Sequence, residues 1–91
     1  MQRAHVLIHG RVITVGFRYF IRNKALTLGL NGWIRNIDGK VEAVFEGSQD
    51  NLNKIIEYCE DGPMTSKVSK VDIKYEKPEN LKGFEIKGEI I

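Results

Sequence analysis

Asp38-Gly39 lies between two runs of alternating apolar and polar residues, Gly32 to Ile37 and Lys40 to Glu46, and this arrangement constrains the fold more than any other feature of the chain. A type I′ turn requires positive φ at both central residues, and Asp-Gly supplies it at little strain. The two runs are therefore an antiparallel hairpin. Everything around it must extend that sheet or pack upon it.

The flanking segments supply both kinds of element. Residues 4–9 alternate so that Ala4, Val6 and Ile8 share a face, and Gly10 ends this first strand. From Phe17 the apolar positions Phe17, Phe20, Ile21, Ala25 and Leu28 recur at helical spacing up to Gly29, which fits a left-handed cap with Leu30 as its hydrophobic follower. Ser48 caps a second helix with Asp50 in its first turn. Its apolar stripe is Leu52, Ile55, Ile56 and Cys59, and Asp61-Gly62-Pro63 stops it. Residues 67–76 alternate again, with Val71, Ile73 and Tyr75 on one side and Lys70, Asp72 and Lys74 on the other. Residues 76–82 read as a surface loop, and Phe84 and Ile86 mark a last short strand ending near Gly88. The predicted class is α+β: a ferredoxin-like βαββαβ sandwich, two helices on one face of a mostly antiparallel sheet, with residues 1–91 as a single domain.

That fold serves many functions, so function has to be read from the site. Fourteen basic against twelve acidic residues leave a formal charge of +2, far short of the field a nucleic-acid binder concentrates. The charge favours a small anion. The one cysteine, Cys59, forms no internal disulfide, and without a CxxC or His/Cys cluster no metal site and no cofactor is expected. Met1-Gln2-Arg3-Ala4-His5 runs straight into a strand pattern, without the apolar core of a signal peptide or a stretch able to span a bilayer. A cytoplasmic protein with no membrane partner is expected. One sheet and two helices account for the alternation patterns, so a monomer is expected as well.

Chemical content concentrates in residues 10–18, Gly-Arg-Val-Ile-Thr-Val-Gly-Phe-Arg. A glycine-bounded loop leaves a strand and closes on an arginine where a helix begins. Backbone N–H groups converge in such a turn, the helix N-terminus adds positive potential, and a guanidinium offers a planar fork to two anionic oxygens. The pattern suits phosphate. Asn36 is the second candidate. With the first strand central in the sheet, a carboxamide at the end of a neighbouring strand reaches the space above the loop, where it can accept from a water and donate to an oxygen. Its competing role is to shape the Asp38-Gly39 turn.

Gly10-Arg11-Val12 with Val15-Gly16-Phe17-Arg18, followed by Gly32-Trp33-Ile34-Arg35-Asn36 and Gly39-Lys40-Val41, resembles the acylphosphatases. Glu46-Gly47, Gly62-Pro63, Val68 with Val71, and Gly83-Phe84-Glu85-Ile86 extend the resemblance over essentially the whole chain. It implies hydrolysis of a small acyl phosphate to a carboxylate and inorganic phosphate by direct attack of a positioned water. Phosphate binding would fall on Arg11, Val12, Ile13, Thr14, Val15, Gly16 and Arg18, and catalysis on Arg18 and Asn36, the asparagine positioning the water. The reaction suits this chain. A carboxylate leaving group, whose conjugate acid has a pKa of about 4, departs without a general acid, and a loose transition state asks chiefly for charge stabilisation.

The chain departs from the family pattern inside the loop, where Ile13-Thr14 replaces the usual Gln-Gly. A β-branched residue at a glycine position implies an ordinary φ, a rearranged loop or a weakened site, and the Thr14 hydroxyl could donate to a phosphate oxygen instead. A second reading follows: a catalytically weak or silent member that binds phosphate or acyl phosphate. The segment from Asn36 to Gly39 is also one residue shorter than the family spacing, and Ile34 replaces a usually smaller residue. A third reading, an RNA-binding module, shares the element order, and Lys82-Gly83-Phe84 is similar to part of an RNP1 motif. Its stacking platform is poor, with no aromatic on the first strand and only Phe45 on the third, so no nucleic-acid partner is expected. His5 and His9 share a strand face without a third ligand and read as ordinary sheet residues. Cys59 reads as packing, and Lys67, Lys70 and Lys74 as a solvated face. Trp33 either packs or contacts an acyl group.

Overall fold

In the computed structural model, which describes residues 1–88, seven elements follow the expected order: β1 (Gln2–Arg11), α1 (Phe17–Thr27), β2 (Asn31–Ile37), β3 (Lys40–Gly47), α2 (Gln49–Asp61), β4 (Lys67–Glu76) and β5 (Phe84–Ile86). The hairpin turns through Asp38 at φ 51° and Gly39 at φ 76°, the positive pair that a type I′ turn demands. Its register pairs Ile37 with Lys40 and Asn31 with Glu46.

The sheet order is β4-β1-β3-β2-β5. All neighbours are antiparallel except β2 and β5, which run parallel. The middle strand is β3, not β1 as the sequence reading assumed, so β2 is separated from β1 by a whole strand. β1 is longer than expected because it is paired on both sides over nearly its full length, to β3 and to β4.

Both helices cover one face, α1 lying over β2 and β5 and α2 over β4, β1 and β3. The expected glycine cap of α1 is a Schellman motif: Gly29 N–H donates to the Leu26 carbonyl at 3.1 Å, and Leu30 N–H to the Ala25 carbonyl at 2.9 Å. Leu30 then turns its side chain into the core. At the start of α2 the Ser48 hydroxyl accepts from the Asn51 amide at 3.2 Å.

Between the layers lie Ala4, Val6 and Ile8 of β1, Ile34 of β2, Val41, Ala43 and Phe45 of β3, Phe17, Ile21 and Ala25 of α1, and Leu52, Ile55 and Cys59 of α2. Full burial of each larger aliphatic or aromatic side chain contributes about 1.5–3 kcal/mol before conformational entropy is counted. Cys59 completes the α2 stripe, and burial pushes its thiol far above its ordinary pKa, so it behaves as an apolar group. Phe45 and Phe84 stack inside this core with centroids 5.5 Å apart, leaving neither on the open sheet face.

The alternation of β4 is real but its apolar side is only partly covered. Val71 is half-buried, whereas Ile73 and Tyr75 are 40% and 52% exposed. β4 is an edge strand, so one flank of its apolar side has no neighbour to bury it.

Candidate active site

The ends of four strands meet at one edge of the sandwich: Arg11 of β1 pairs with Lys67 of β4, and Asn36 of β2 pairs with Val41 of β3, which in turn pairs with Ile8 of β1. The loop from Val12 to Gly16 leaves this edge and enters α1. Its apolar side chains hold it down, Val12 fully buried and Ile13 and Val15 packed against the core. What it leaves available is backbone. Among the described residues, no amide from Val12 to Gly16 donates a hydrogen bond to another protein group. Arg11 differs from the rest of the predicted set, for it is the last residue of β1 and exposed, held in the ladder opposite Lys67.

Gly16 is the residue immediately before α1, at φ 78° and ψ 15°, a left-handed conformation that glycine adopts without Cβ strain. Having no side chain, it cannot cap the helix, and no acidic residue occupies the first turn. The first amides of α1 therefore keep the unpaired donor capacity of a helix N-terminus. Arg18 sits in that first turn, half-buried, with no carboxylate among the described residues within ion-pair distance.

Thr14 takes φ 62°, the left-handed conformation that suits glycine, so it does not escape to an ordinary φ. Such a residue costs about 1–2 kcal/mol relative to glycine. Its hydroxyl donates to the carbonyl of Ile13 at 2.6 Å and is engaged within the loop.

Asn36 is only 3% exposed, and its carboxamide oxygen is buried without a hydrogen-bond partner among the described residues. It lies on the helix-covered face, level with Val41 and Ile8, and makes no hydrogen bond to the Asp38-Gly39 turn. A buried acceptor left open is destabilising by about 1–3 kcal/mol, which points to a use other than folding. Trp33, three residues away, projects from the opposite face, where the Arg35 guanidinium and the Lys87 ammonium lie 5.1 Å and 4.6 Å from its ring centroid. It has no place at the loop.

A second concentration of charge occupies that open face. The Arg3 guanidinium donates to Glu46 and Glu76, each at 3.0 Å, and fully buried Glu46 also accepts from the amides of Glu79 and Leu81 at 2.7 Å and 2.9 Å. His5 lies between Glu42 at 2.6 Å and Glu76 at 3.0 Å, and Arg35 completes the set on Glu42 at 2.7 Å. Burial works against the charged forms of Glu46 and Glu42, but hydrogen bonds outweigh it and hold both carboxyls below their ordinary pKa. His9 pairs with Asp72 at 2.8 Å. A shallow cavity of about 170 Å³ nearby is lined by His5, Leu7, Asp72, Ile73 and Lys74, none of them a candidate site residue. This network is internally satisfied, whereas the loop end is not.

The sequence reading passed over Thr65, whose hydroxyl donates to the Val15 carbonyl at 2.7 Å across fifty residues of chain. The only signal near it was Gly62-Pro63.

Three comparisons bear on this arrangement. The family model described as Acylphosphatase matches residues 4–86. The acylphosphatase of Trichormus variabilis is 50% identical over 86 residues, spanning 93% of this chain and 85% of that protein. The acylphosphatase of Thermococcus kodakarensis is 45% identical over 87 residues, spanning 94% and 96%. Among solved structures, the crystal structure of acylphosphatase from Bacillus subtilis superposes with a TM-score of 0.92 at 34% identity, covering 94% of this chain and 98% of that one.

Proposed function

The chain belongs to the acylphosphatase family and hydrolyses acyl phosphates, and we propose that it does so at the β1–α1 loop, where Arg18 and the amides of residues 12–16 hold the phosphoryl group and Asn36 positions the attacking water. The phosphoryl oxygens accept from the loop amides and the first amides of α1, while the Arg18 fork neutralises charge on the equatorial oxygens. The Asn36 carboxamide oxygen accepts a hydrogen bond from water and aims its lone pair at phosphorus. As the new P–O bond forms, the bond to the acyl oxygen breaks, the electron pair leaves on the carboxylate, and the proton released by the water passes to an oxygen of the phosphate product.

No general acid is required, because the departing carboxylate is a weak base at neutral pH. No metal is required either, since helix dipole, amides and guanidinium supply the positive charge. The observation that carries this reading is the coincidence, at one edge of the sandwich, of donors without protein partners and a buried acceptor without one. Arg11 contributes backbone, as its place in the ladder dictates. The protein works as a cytoplasmic monomer on a small substrate, a reading supported by its near-neutral charge and by the single core that gathers the apolar faces of β1, β2, β3 and both helices.

The test is steady-state hydrolysis of benzoyl phosphate with a chelator present. Arg18→Gln is expected to lower kcat/KM by about a thousandfold and Asn36→Ala kcat by about a hundredfold or more, with both variants folded. Retention of rate by folded Arg18→Gln would remove the loop as the phosphoryl site. Loss of rate in the intact protein on chelation would remove the metal-free mechanism.

A further inference from the structure

We propose that Thr65, on the connection between α2 and β4, is a positioning residue that sets the orientation of the phosphate loop; this rests on the reading of residues 12–16 as the phosphoryl site. The Thr65 hydroxyl donates to the Val15 carbonyl at 2.7 Å. Among the described residues it is the one side chain from another element that hydrogen-bonds any part of this loop. A trans peptide carries its C=O and its following N–H in opposite directions, and the chain contains no cis bond among the described residues. Drawing the Val15 carbonyl toward Thr65 therefore turns the Gly16 amide away from Thr65, and Gly16 is the residue on which α1 begins. The Thr14 hydroxyl also bonds the Ile13 carbonyl, but that bond lies within the loop and does not fix it against another element.

The turn carrying Thr65 is tied at both ends. Gly62 closes α2, donating its amide to the Tyr58 carbonyl at 2.8 Å, and Ser66 folds back on the Pro63 carbonyl through its amide at 2.9 Å and its hydroxyl at 2.7 Å. The Phe17 ring, at the first residue of α1, approaches so near that a Cβ on Gly62 would lie 2.9 Å from its Cε2. The turn and the start of α1 are therefore in direct contact. Met64 beside it is fully exposed and contributes nothing to this packing.

Thr65→Val removes the donor at constant shape and Thr65→Ser keeps it. The measurements are kcat and KM with benzoyl phosphate, competitive inhibition by inorganic phosphate, and thermal unfolding, with Arg18→Gln in parallel. Thr65→Val is expected to weaken phosphate inhibition and to lower kcat/KM together, by about 2- to 12-fold, the range a single uncharged hydrogen bond spans. Thr65→Ser is expected to restore both, with a melting temperature close to that of the intact protein in each case. If Thr65→Val binds phosphate and turns over as the intact protein does while Arg18→Gln is inactive, Thr65 is no positioning residue and the loop assignment stands. If Thr65→Ser falls with Thr65→Val, the hydroxyl is not what acts. If Arg18→Gln remains active, the loop assignment itself fails and the proposal falls with it.

Discussion

Arg3 and Arg18 lie on the same small sandwich in opposite circumstances. Arg3, on the open sheet face, is 7% exposed and faces three carboxylates: Glu46 and Glu76 at 3.0 Å and Glu79 at 3.5 Å. Arg18, in the first turn of α1, meets none among the described residues, and the amides preceding it lack protein partners as well. In the first region Arg3, His5, Glu42, Glu46 and Glu76 each have an opposite charge or an amide as partner, so their free energy is realised in folding. At the loop, the amides and the Asn36 acceptor have no protein partners of their own; Val12, Ile13 and Val15 pack the loop against the core, and the β2–β3 ladder carries Asn36. The difference separates stability from activity: variants of the open face should change the first and spare the second, and variants of the loop the reverse.

Glu46 offers the largest test of that division. It is fully buried and joins Arg3 to the amides of Glu79 and Leu81, tying the connection after β4 across the end of the sheet. Glu46→Gln removes the one fully buried carboxylate of the three that face Arg3; breaking a buried pair from one side costs about 3–5 kcal/mol, and Glu76 and Glu79 remaining on Arg3 place this variant near the lower figure. Urea unfolding should register a loss of about that size, while kcat/KM of the fraction still folded stays within twofold of the intact protein. A loss of turnover matching the Arg18 variant, without loss of stability, would break the division.

The pH dependence of stability gives a smaller effect with a definite sign. Partial burial opposes the charged form of His5, but its hydrogen bonds to Glu76 and Glu42 outweigh this and raise its pKa above the ordinary 6.5. Its contribution is fully present below pH 6.5 and is lost as pH rises through the raised value. Glu42, Glu46 and Glu76 are held below their ordinary 4.5, so their contributions are present above pH 4.5 and vanish as pH falls through the lowered values. Stability should therefore be greatest between about pH 4.5 and 6.5. Urea unfolding should show the protein less stable at pH 8.5 than at pH 5.5 by under about 1 kcal/mol, given the partial exposure of the imidazole. His5→Asn should flatten that alkaline limb. An unchanged limb in the variant would show that the open face is not the source.

Local signals carried the elements and failed on what crosses between them. Asp38-Gly39, the Ser48 cap, the Gly29 cap and the stripe ending at Cys59 are encoded within a few residues, and each was legible. The position of Arg18 in the first turn of α1 was legible too, because a loop, a glycine and a helix start are consecutive in sequence. The sheet order was not: β3 is central only because β1 and β2 both pair with it, from opposite sides and with a helix intervening in the chain. Glu46 read as a strand-end residue, since the amides that bury it come from more than thirty residues away. Thr65 escaped for the same reason. For Asn36 the sequence left a catalytic and a turn-shaping role open, because its burial and its open oxygen depend on α1 closing over β2.

Thr14 sharpens the comparison most finely, because there the loop carries strain of its own. Thr14→Gly relieves a positive φ worth about 1–2 kcal/mol, but it adds about 0.4–1 kcal/mol of unfolded-chain entropy and loses the hydroxyl bond to the Ile13 carbonyl, worth about 1 kcal/mol, so the three nearly cancel and a net change within about 0.5 kcal/mol is expected in urea unfolding. Thr14→Val keeps the strained backbone and removes the bond to the Ile13 carbonyl, and should lose about 1 kcal/mol. Because the hydroxyl is engaged at 2.6 Å inside the loop, inhibition by inorganic phosphate should be unchanged in Thr14→Gly within about twofold. If Thr14→Gly instead loses phosphate affinity severalfold at unchanged stability, the hydroxyl turns to the anion when phosphate binds, and it has taken over a contact at the site. If Thr14→Gly is destabilised as much as Thr14→Val, the bond to Ile13, rather than the backbone conformation, is what holds the loop, and the loop is less dependent on apolar packing than Val12, Ile13 and Val15 imply.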